Sequence, residues 1–503
     1  MSKQHQWKRR LLTGAAFFLF PALALSQADD LAAQSHHAKE LMAAGRFEEA
    51  IPIYQKLVAA LPGNPGFLLN LGLAEEMAGH PQQAIPHFQA VLRNQPENVP
   101  ALTSLGTAAL QTNQAKLALA PLEKLTKVQP SDLNARGMLA GAYMSLQQFA
   151  KAASQFHYLT TVSPSDPKAW YGLGKAYESL AANSFSQLAK VAPQSPYLAA
   201  LLADSRFQRK QYRSAYFFYK QAESKLPGLP GVHAGLANVY TSTSHPDWAA
   251  SERTAEQKLP APNCASNAAE CRFFAKDYTG AAKLSSVGTG PENLFWLTKA
   301  YNQLALDSFD HLGHLGESVE IHALKAQILH GHGQDAEAAA EWHAALGLAP
   351  GNPRLQVELA TSLFLAHKYD EVMPMLKNML AQEPNAPDLN FMLGESLWRT
   401  QQAEKAVPYL TTAVKLDPQL LPAQAALGMV YALLNQNTEA IPHLEKAVTL
   451  DDDGSLHYSL ARAYQAAGDS AGARKTMTEY QQIKQKNQQI NDELAKEAEI
   501  AAP

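Results

Sequence analysis

The apolar positions of this chain recur at an interval of 34 residues. A small residue followed four positions later by a large one appears at Ala50/Tyr54, Ala84/Phe88, Ala118/Leu122 and Ala152/Phe156. The pair returns at Ala215/Tyr219, Ala338/Trp342, Ala406/Leu410 and Ala440/Leu444. A proline closes the period at Pro62, Pro96, Pro130 and Pro164, and again at Pro350, Pro384 and Pro418. Upstream, Gly72, Gly106, Gly174, Gly394 and Gly428 place a small residue in the first half of the unit. Spacings of three and four put these residues on single helix faces, so each unit predicts two short amphipathic helices, A and B, crossing at the small positions. The closing proline cannot continue the hydrogen-bond ladder and pushes its predecessor out of helical geometry, so it ends helix B. A second set, Pro52, Pro86, Pro374, Pro408 and Pro442, follows the small position by two residues. Proline is best tolerated where backbone N–H groups lack an intrahelical partner, which predicts that helix B begins there.

A period this constant marks one supersecondary unit repeated along the chain. The units read as 31–64, 65–98, 99–132, 133–166, a short 167–195, 196–229 and 230–260, then 319–352, 353–386, 387–420, 421–453 and 454–487. Together with the segment Trp170-x2-Leu173-Gly174-x2-Tyr177, this period resembles the tetratricopeptide repeat family. The resemblance covers nearly the whole chain after residue 28. It implies an all-α fold, a right-handed superhelical α-solenoid of helix-turn-helix repeats, whose helices A line a concave surface that holds peptides.

Two segments depart from the pattern in the same way. Lys175-Ala176-Tyr177 to Leu188 is matched residue for residue in spacing by Lys299-Ala300-Tyr301 to Leu312, and both lack the turn between A and B. Either A runs into B as one helix, or the turn is very tight. Between them, 261–290 ends in the flexible run Ser285 to Pro291. The expected organisation is a signal peptide at 1–28, an N-terminal array at 29–260, divergent repeats at 261–318, a C-terminal array at 319–487 and a polar tail at 488–503 capping the last unit; the divergent stretch is either the boundary between two arrays or part of one continuous stack.

Composition adjusts this picture. A hydrophobic share of 46% with 17% charged residues excludes a disordered chain. The first residues differ from the rest: Lys3, Lys8, Arg9 and Arg10 precede an apolar run from Leu11 to Leu25, broken by Pro21, with small residues at Ala24, Ser26 and Ala28. This layout predicts a bacterial-type secretory signal cleaved after Ser26 or Ala28. The run is shorter than the ~20 residues that span a bilayer, so stable membrane insertion is not expected after cleavage. Losing those four basic residues takes the formal charge from −4 to −8, which gives no pull towards nucleic acid. Only Cys264 and Cys271 are present. In an exported protein such a pair suggests a disulfide. On one continuous helix their Cα atoms would stand ~10 Å apart, too far to bridge, so bonding requires a bend. Pro260, Pro262 and Asn263 make a bend available, and two free thiols are the other outcome.

Chemistry-bearing motifs are incomplete. Gly172-Leu173-Gly174-Lys175 lacks the earlier glycine and the following hydroxyl of a phosphate loop. Asp451-Asp452-Asp453-Gly454 lacks the alternating carboxylates and distal glutamate of a calcium loop. His311 with His314, and His330 with His332, have no third ligand nearby in sequence. No catalytic residue, metal site or cofactor is therefore expected.

The implied groove directs attention to helix A positions: Tyr171 and Lys175 with Glu178, then Tyr197, Asp204 and Phe207, then Asn238, and in the C-terminal array Arg354, Phe364, Phe391, Glu395, Trp398, Arg399, Tyr458 and Arg462. Aromatic residues beside arginine dominate peptide-recognition hot spots. The reading is an exported, non-enzymatic scaffold or adaptor for protein or peptide partners in the periplasm or outside the cell. The alternative is an accessory subunit of an envelope polysaccharide or glycosyl-transfer complex.

Overall fold

The computed structural model describes the backbone of residues 19–497, 500, 501 and 503, and the side chains of 30–489 with those last three. The signal-peptide reading rests mostly on residues 1–18 and on side chains before residue 30, which lie outside the described residues. Among the described residues there are 26 α-helices and no strand. None of these helices is long and apolar enough to cross a membrane. Contacts divide the chain into two units, Met1–Leu180 and Ala181–Pro503, with the boundary inside α9.

The first unit holds α1 (Leu19–Ala43), α2 (Phe47–Ala60), α3 (Pro65–Met77), α4 (Pro81–Asn94) and α5 (Val99–Gln111). It continues through α6 (Ala115–Val128), α7 (Leu133–Ser145), α8 (Phe149–Val162) and the start of α9 (Pro167–Val191). The second unit takes up α10 (Pro196–Gln208), α11 (Tyr212–Lys225), α12 (Val232–Ser242), α13 (Pro246–Gln257), α14 (Ala268–Phe274) and α15 (Tyr278–Ser285). Then come α16 (Pro291–His314), α17 (Val319–Gly331), α18 (Asp335–Leu348), α19 (Pro353–Leu365), α20 (Tyr369–Gln382) and α21 (Pro387–Arg399). The last are α22 (Ala403–Leu416), α23 (Leu421–Leu433), α24 (Asn437–Ala447), α25 (Ser455–Ala466) and α26 (Ser470–Glu497).

A regular hairpin has a helix A of 13 residues and a helix B of 14, as in α3–α4, α5–α6, α7–α8, α19–α20 and α21–α22. Helix A starts on a side-chain cap: Asn64, Asn98, Asp132 and Asn352 accept from backbone N–H groups of the first turn, which have no other partner. The turn to helix B passes through one residue in left-handed geometry, at Gly45, Gly79, Asn113 and Gln147, and at Gly333, His367, Gln401 and Asn435. The next N–H then bonds back five residues, as His80 does to the Glu75 carbonyl at 2.8 Å and Gln402 to Leu397 at 2.8 Å. Helix B stops at Leu61, Gln95, Gln129, Ser163, Ala349, Glu383 and Asp417, each directly before a closing proline and each with φ near −130°.

The small-and-large pairs form the core between helices. All of them are buried except Phe156, which is half-buried. The glycines explain the crossing distance. A Cβ on Gly72 would lie 2.6 Å from Phe88, on Gly106 2.6 Å from Leu122, and on Gly394 2.6 Å from Leu410. In α9 the close contact falls on Gly172, 2.3 Å from Phe156 of α8.

One expectation changes. Helix B does not begin at the second set of prolines: Pro52, Pro86, Pro374, Pro408 and Pro442 lie inside their helices, five residues after the start. Each is exposed, and so are the residues four positions earlier, so the carbonyl deprived of its N–H partner faces water. The two turnless segments are single helices, α9 of 25 residues and α16 of 24, because no left-handed residue interrupts their helix formers.

For 261–318 the sequence leaves two readings open, a boundary between two arrays or a divergent part of one continuous stack; in the structure α16 packs on α10 within the second unit. Leu294, Phe295 and Trp296 join the apolar cluster of α10 to α13. The Tyr197 and Phe295 rings are 5.3 Å apart, and Lys299 Nζ lies 3.3 Å from Asp204 Oδ2. Cys264 and Cys271 are joined in a disulfide with Cα atoms 5.6 Å apart. The bend at Asn263 to Asn267, ahead of α14, brings them together.

Candidate partner-binding surfaces

Helix α21 brings Phe391, Glu395, Trp398 and Arg399 together. Glu395 Oε1 accepts from Arg399 Nη2 at 3.0 Å, and the Arg399 guanidinium lies 4.3 Å from the centre of the Trp398 ring. An aromatic face under a cation is an attractive pairing of ring quadrupole and charge. Phe391 stands edge-on to Phe364 of α19 at 5.8 Å, and Phe364 meets Tyr369 at 6.0 Å. Phe364, Phe391 and Trp398 are half-buried and Arg399 is exposed. Two successive helices A thus share one aromatic ladder ending in an ion pair.

The other sequence-selected residues are placed differently. Tyr171 is half-buried in α9, and Lys175 pairs with Glu178 one turn on. Asn238 is exposed on α12 and Arg462 on α25, each apart from the α21 cluster. Phe207 is half-buried, with its ring 5.7 Å from Tyr212 at the start of α11, the arrangement that Phe364 has with Tyr369. Tyr197 and Asp204 meet α16 where it returns onto α10. Asp204 accepts from Tyr219 Oη at 2.7 Å as well as pairing with Lys299. Burial, then the Asp204 charge, pushes the Tyr219 phenol far up, so it remains a donor.

The tail at 488–503 follows Asn487, whose Nδ2 donates to the Asp452 carbonyl at 2.6 Å. Beyond the end of α26, Ile500 packs against the cluster built by α10 to α13, and Tyr240 Oη donates to the Ala501 carbonyl at 2.9 Å.

Among the described residues, one group has the ligand spacing of a metal site: Glu223, His233 and Glu252. His233 Nδ1 is 2.6 Å from Glu252 Oε2 and 3.7 Å from Glu223 Oε1, while Lys220 pairs with Glu223. The same A-to-B contact recurs where no such group exists. His322 Nδ1 meets Glu341 at 2.6 Å, His443 Nδ1 meets Gln424 at 2.7 Å, and Arg136 meets Gln155 at 3.0 Å, all 19 residues apart. The pair is an interhelical tie of the repeat. The histidines singled out by sequence are elsewhere: His314 bonds the Asp310 carbonyl and His330 pairs with Asp335. The Asp451 loop is a cap, its carboxylate accepting from the N–H groups of Gly454 and His457.

Models of the tetratricopeptide repeat match residues 37–99 and 138–180, residues 76–142 and 363–428, and residues 421–453. The chain therefore carries tetratricopeptide repeats, and its fold is the corresponding α-solenoid, a protein-interaction type of scaffold. Solved structures similar to it include MamA from Desulfovibrio magneticus RS-1, 20% identical over 34% of this chain and 97% of that one, with a TM-score of 0.31. YrrB, a repeat protein with an unusual peptide-binding site, is 21% identical over 33% of this chain and 86% of that one, with a TM-score of 0.28. A thermophilic repeat protein from Thermus thermophilus is 20% identical over 36% of this chain and 98% of that one, with a TM-score of 0.28. No curated protein matches the chain.

Proposed function

We propose that this protein is an exported, non-catalytic scaffold that binds an extended segment of a partner protein along its helices A, organising envelope or secretion components. The observation that carries the reading is the α19–α21 ladder, in which Phe364, Phe391 and Trp398 offer apolar area beside the Arg399–Glu395 pair. Rings supply contact area at low entropic cost, and a guanidinium supplies a directional charge-assisted bond. Export rests on the basic start, apolar run and small residues of 1–28. The exported chain is expected to begin at Gln27 or Asp29 by N-terminal sequencing; a retained Met1 would mean an anchor instead.

The binding reading is tested with Trp398→Ala as bait in affinity capture from an envelope extract, beside the unchanged chain. Loss of a partner with unchanged helicity and melting temperature supports it, at a cost of about 2 kcal/mol or more for a hot spot. A sharp fall in melting temperature with the partner retained would show that Trp398 packs between repeats and does not bind.

A further inference from the structure

Ile500 and Ala501 sit in a built site. Tyr216 of α11 and Tyr240 of α12 are 8% and 0% exposed, with ring centres 6.0 Å apart. Both hydroxyls point at one atom, the main-chain carbonyl oxygen of Ala501, at 3.5 Å from Tyr216 Oη and 2.9 Å from Tyr240 Oη. These partners are 285 and 261 residues apart in sequence. Beside them, Ile500 packs on the apolar cluster that includes Leu236, Val239 and Trp296. The floor is a run of packed rings: Tyr240 stands edge-on to Trp248 at 5.6 Å, and Trp248 stacks on His245 at 4.1 Å. Burial, then Tyr216 and the Glu252 and Glu223 charges, pushes the Tyr240 phenol up, so its hydroxyl remains a donor.

Two buried donors aimed at a backbone carbonyl next to an apolar seat read an extended chain and are indifferent to most of its sequence. A carbonyl is offered by any residue, while the neighbouring seat selects an aliphatic side chain. We propose that the Tyr216–Tyr240 face is a second peptide-binding site, specific for an extended segment with an aliphatic residue followed by small ones, and that the chain's own Ile500-Ala501 is its resident occupant. The tail and an external segment of the same chemistry then compete. This rests on the reading of the protein as a peptide-binding scaffold. Because the tail is tethered, its effective concentration is of millimolar order, so an external segment gains access only when the tail is displaced or outnumbered.

The probe is a synthetic peptide with the sequence of residues 494–503, labelled at its N-terminus and titrated by fluorescence anisotropy. A chain ending at Glu497 is expected to bind it, and the 503-residue chain at least about tenfold more weakly. Ile500→Asp in the 503-residue chain, a change outside the described helices, should release the site to the same extent. Tyr240→Phe in the shortened chain should weaken binding about fivefold to tenfold. No binding to either the shortened or the Ile500→Asp chain, or equal binding to these and the unaltered chain, would overturn the proposal. The two readings separate cleanly. If the peptide fails while a partner is still captured through Trp398, only this site is wrong; if the peptide binds while Trp398→Ala spares the partner, only the α21 assignment is wrong.

Discussion

The indole Nε1 of Trp170 donates to the carbonyl of Pro164 at 2.7 Å, tying the start of one helix A to the turn that closes the unit before it. The fourth residue of other units makes the same bond: Asn390 to Pro384 at 3.0 Å, Gln424 to Pro418 at 3.0 Å and, at 3.5 Å, Arg136 to Pro130. The closing proline therefore does more than stop helix B; it presents a carbonyl to the next repeat. Trp170→Phe, which keeps the ring's packing, is expected to cost about 1 kcal/mol. Gln424→Ala should cost about 1–3 kcal/mol, because Gln424 is fully buried and also receives His443. Urea unfolding of the two variants beside the parent checks the order.

The glycines divide into two kinds with opposite expected outcomes. Gly394→Ala places a methyl 2.6 Å from Leu410 Cγ and 3.2 Å from its backbone nitrogen, so it should destabilise by about 1–3 kcal/mol. Gly137 and Gly141 lie inside α7 with open space at the Cβ position. Alanine there should stabilise by up to about 1 kcal/mol, through helix propensity alone. Thermal melts of the three single variants would contradict the packing account if all shifted in the same direction.

Gln401 holds left-handed geometry with φ of 63° at the turn between α21 and α22, where α1–α2 and α3–α4 use Gly45 and Gly79. A side chain in that region is disfavoured by about 1–2 kcal/mol, so Gln401→Gly is expected to raise stability, by somewhat less because glycine loses more entropy on folding. A lower urea midpoint for this variant would mean that the Gln401 side chain makes a compensating contact.

Burial, and after it the Lys446 charge, holds His443 below its ordinary pKa. The folded chain thus prefers the neutral imidazole, and the unfolded chain binds more protons in the window between the two values. The stability that His443 contributes is complete above about pH 6.5 and is lost as pH falls through the lowered folded value. His443→Gln should flatten the pH dependence of unfolding between about pH 7 and pH 5 relative to the parent. Parallel slopes for the two proteins would rule this out.

Reduction tests the reach of the disulfide. Cys264–Cys271 closes the loop before α14, whose Phe273 and Phe274 lie 5.3 and 5.9 Å from the Trp296 ring. Cys264→Ser is expected to speed amide exchange in α14 and leave α19 to α24 unchanged, since repeats interact mainly with neighbours. Faster exchange throughout α19 to α24 would show instead that the loop governs the second unit as a whole.

The hairpins were legible because every signal that makes them is local. Closing prolines, packing glycines and the Ala-x3-large pairs act within one unit, and their 34-residue recurrence makes each reading reinforce the next. Internal prolines were misjudged by a turn and a half, because a carbonyl left open on a wet helix face costs little. That cost depends on exposure, which the spacing alone does not carry. On the candidate surfaces, the α21 cluster was readable from spacings of three and four along one helix. The pairing of Tyr197 and Asp204 with α16 was not, since it joins them to Phe295 and Lys299, far away in sequence.

The sequence by itself determined the repeat, the helices and the ends of each hairpin, through backbone rules that span a few residues. Tertiary structure decided which helix faces stay open. Asp204 meets Lys299 across 95 residues, and Tyr240 meets Ala501 across 261. Such contacts arise when small rotations from one repeat to the next add up over many units, and no residue or short motif encodes the sum.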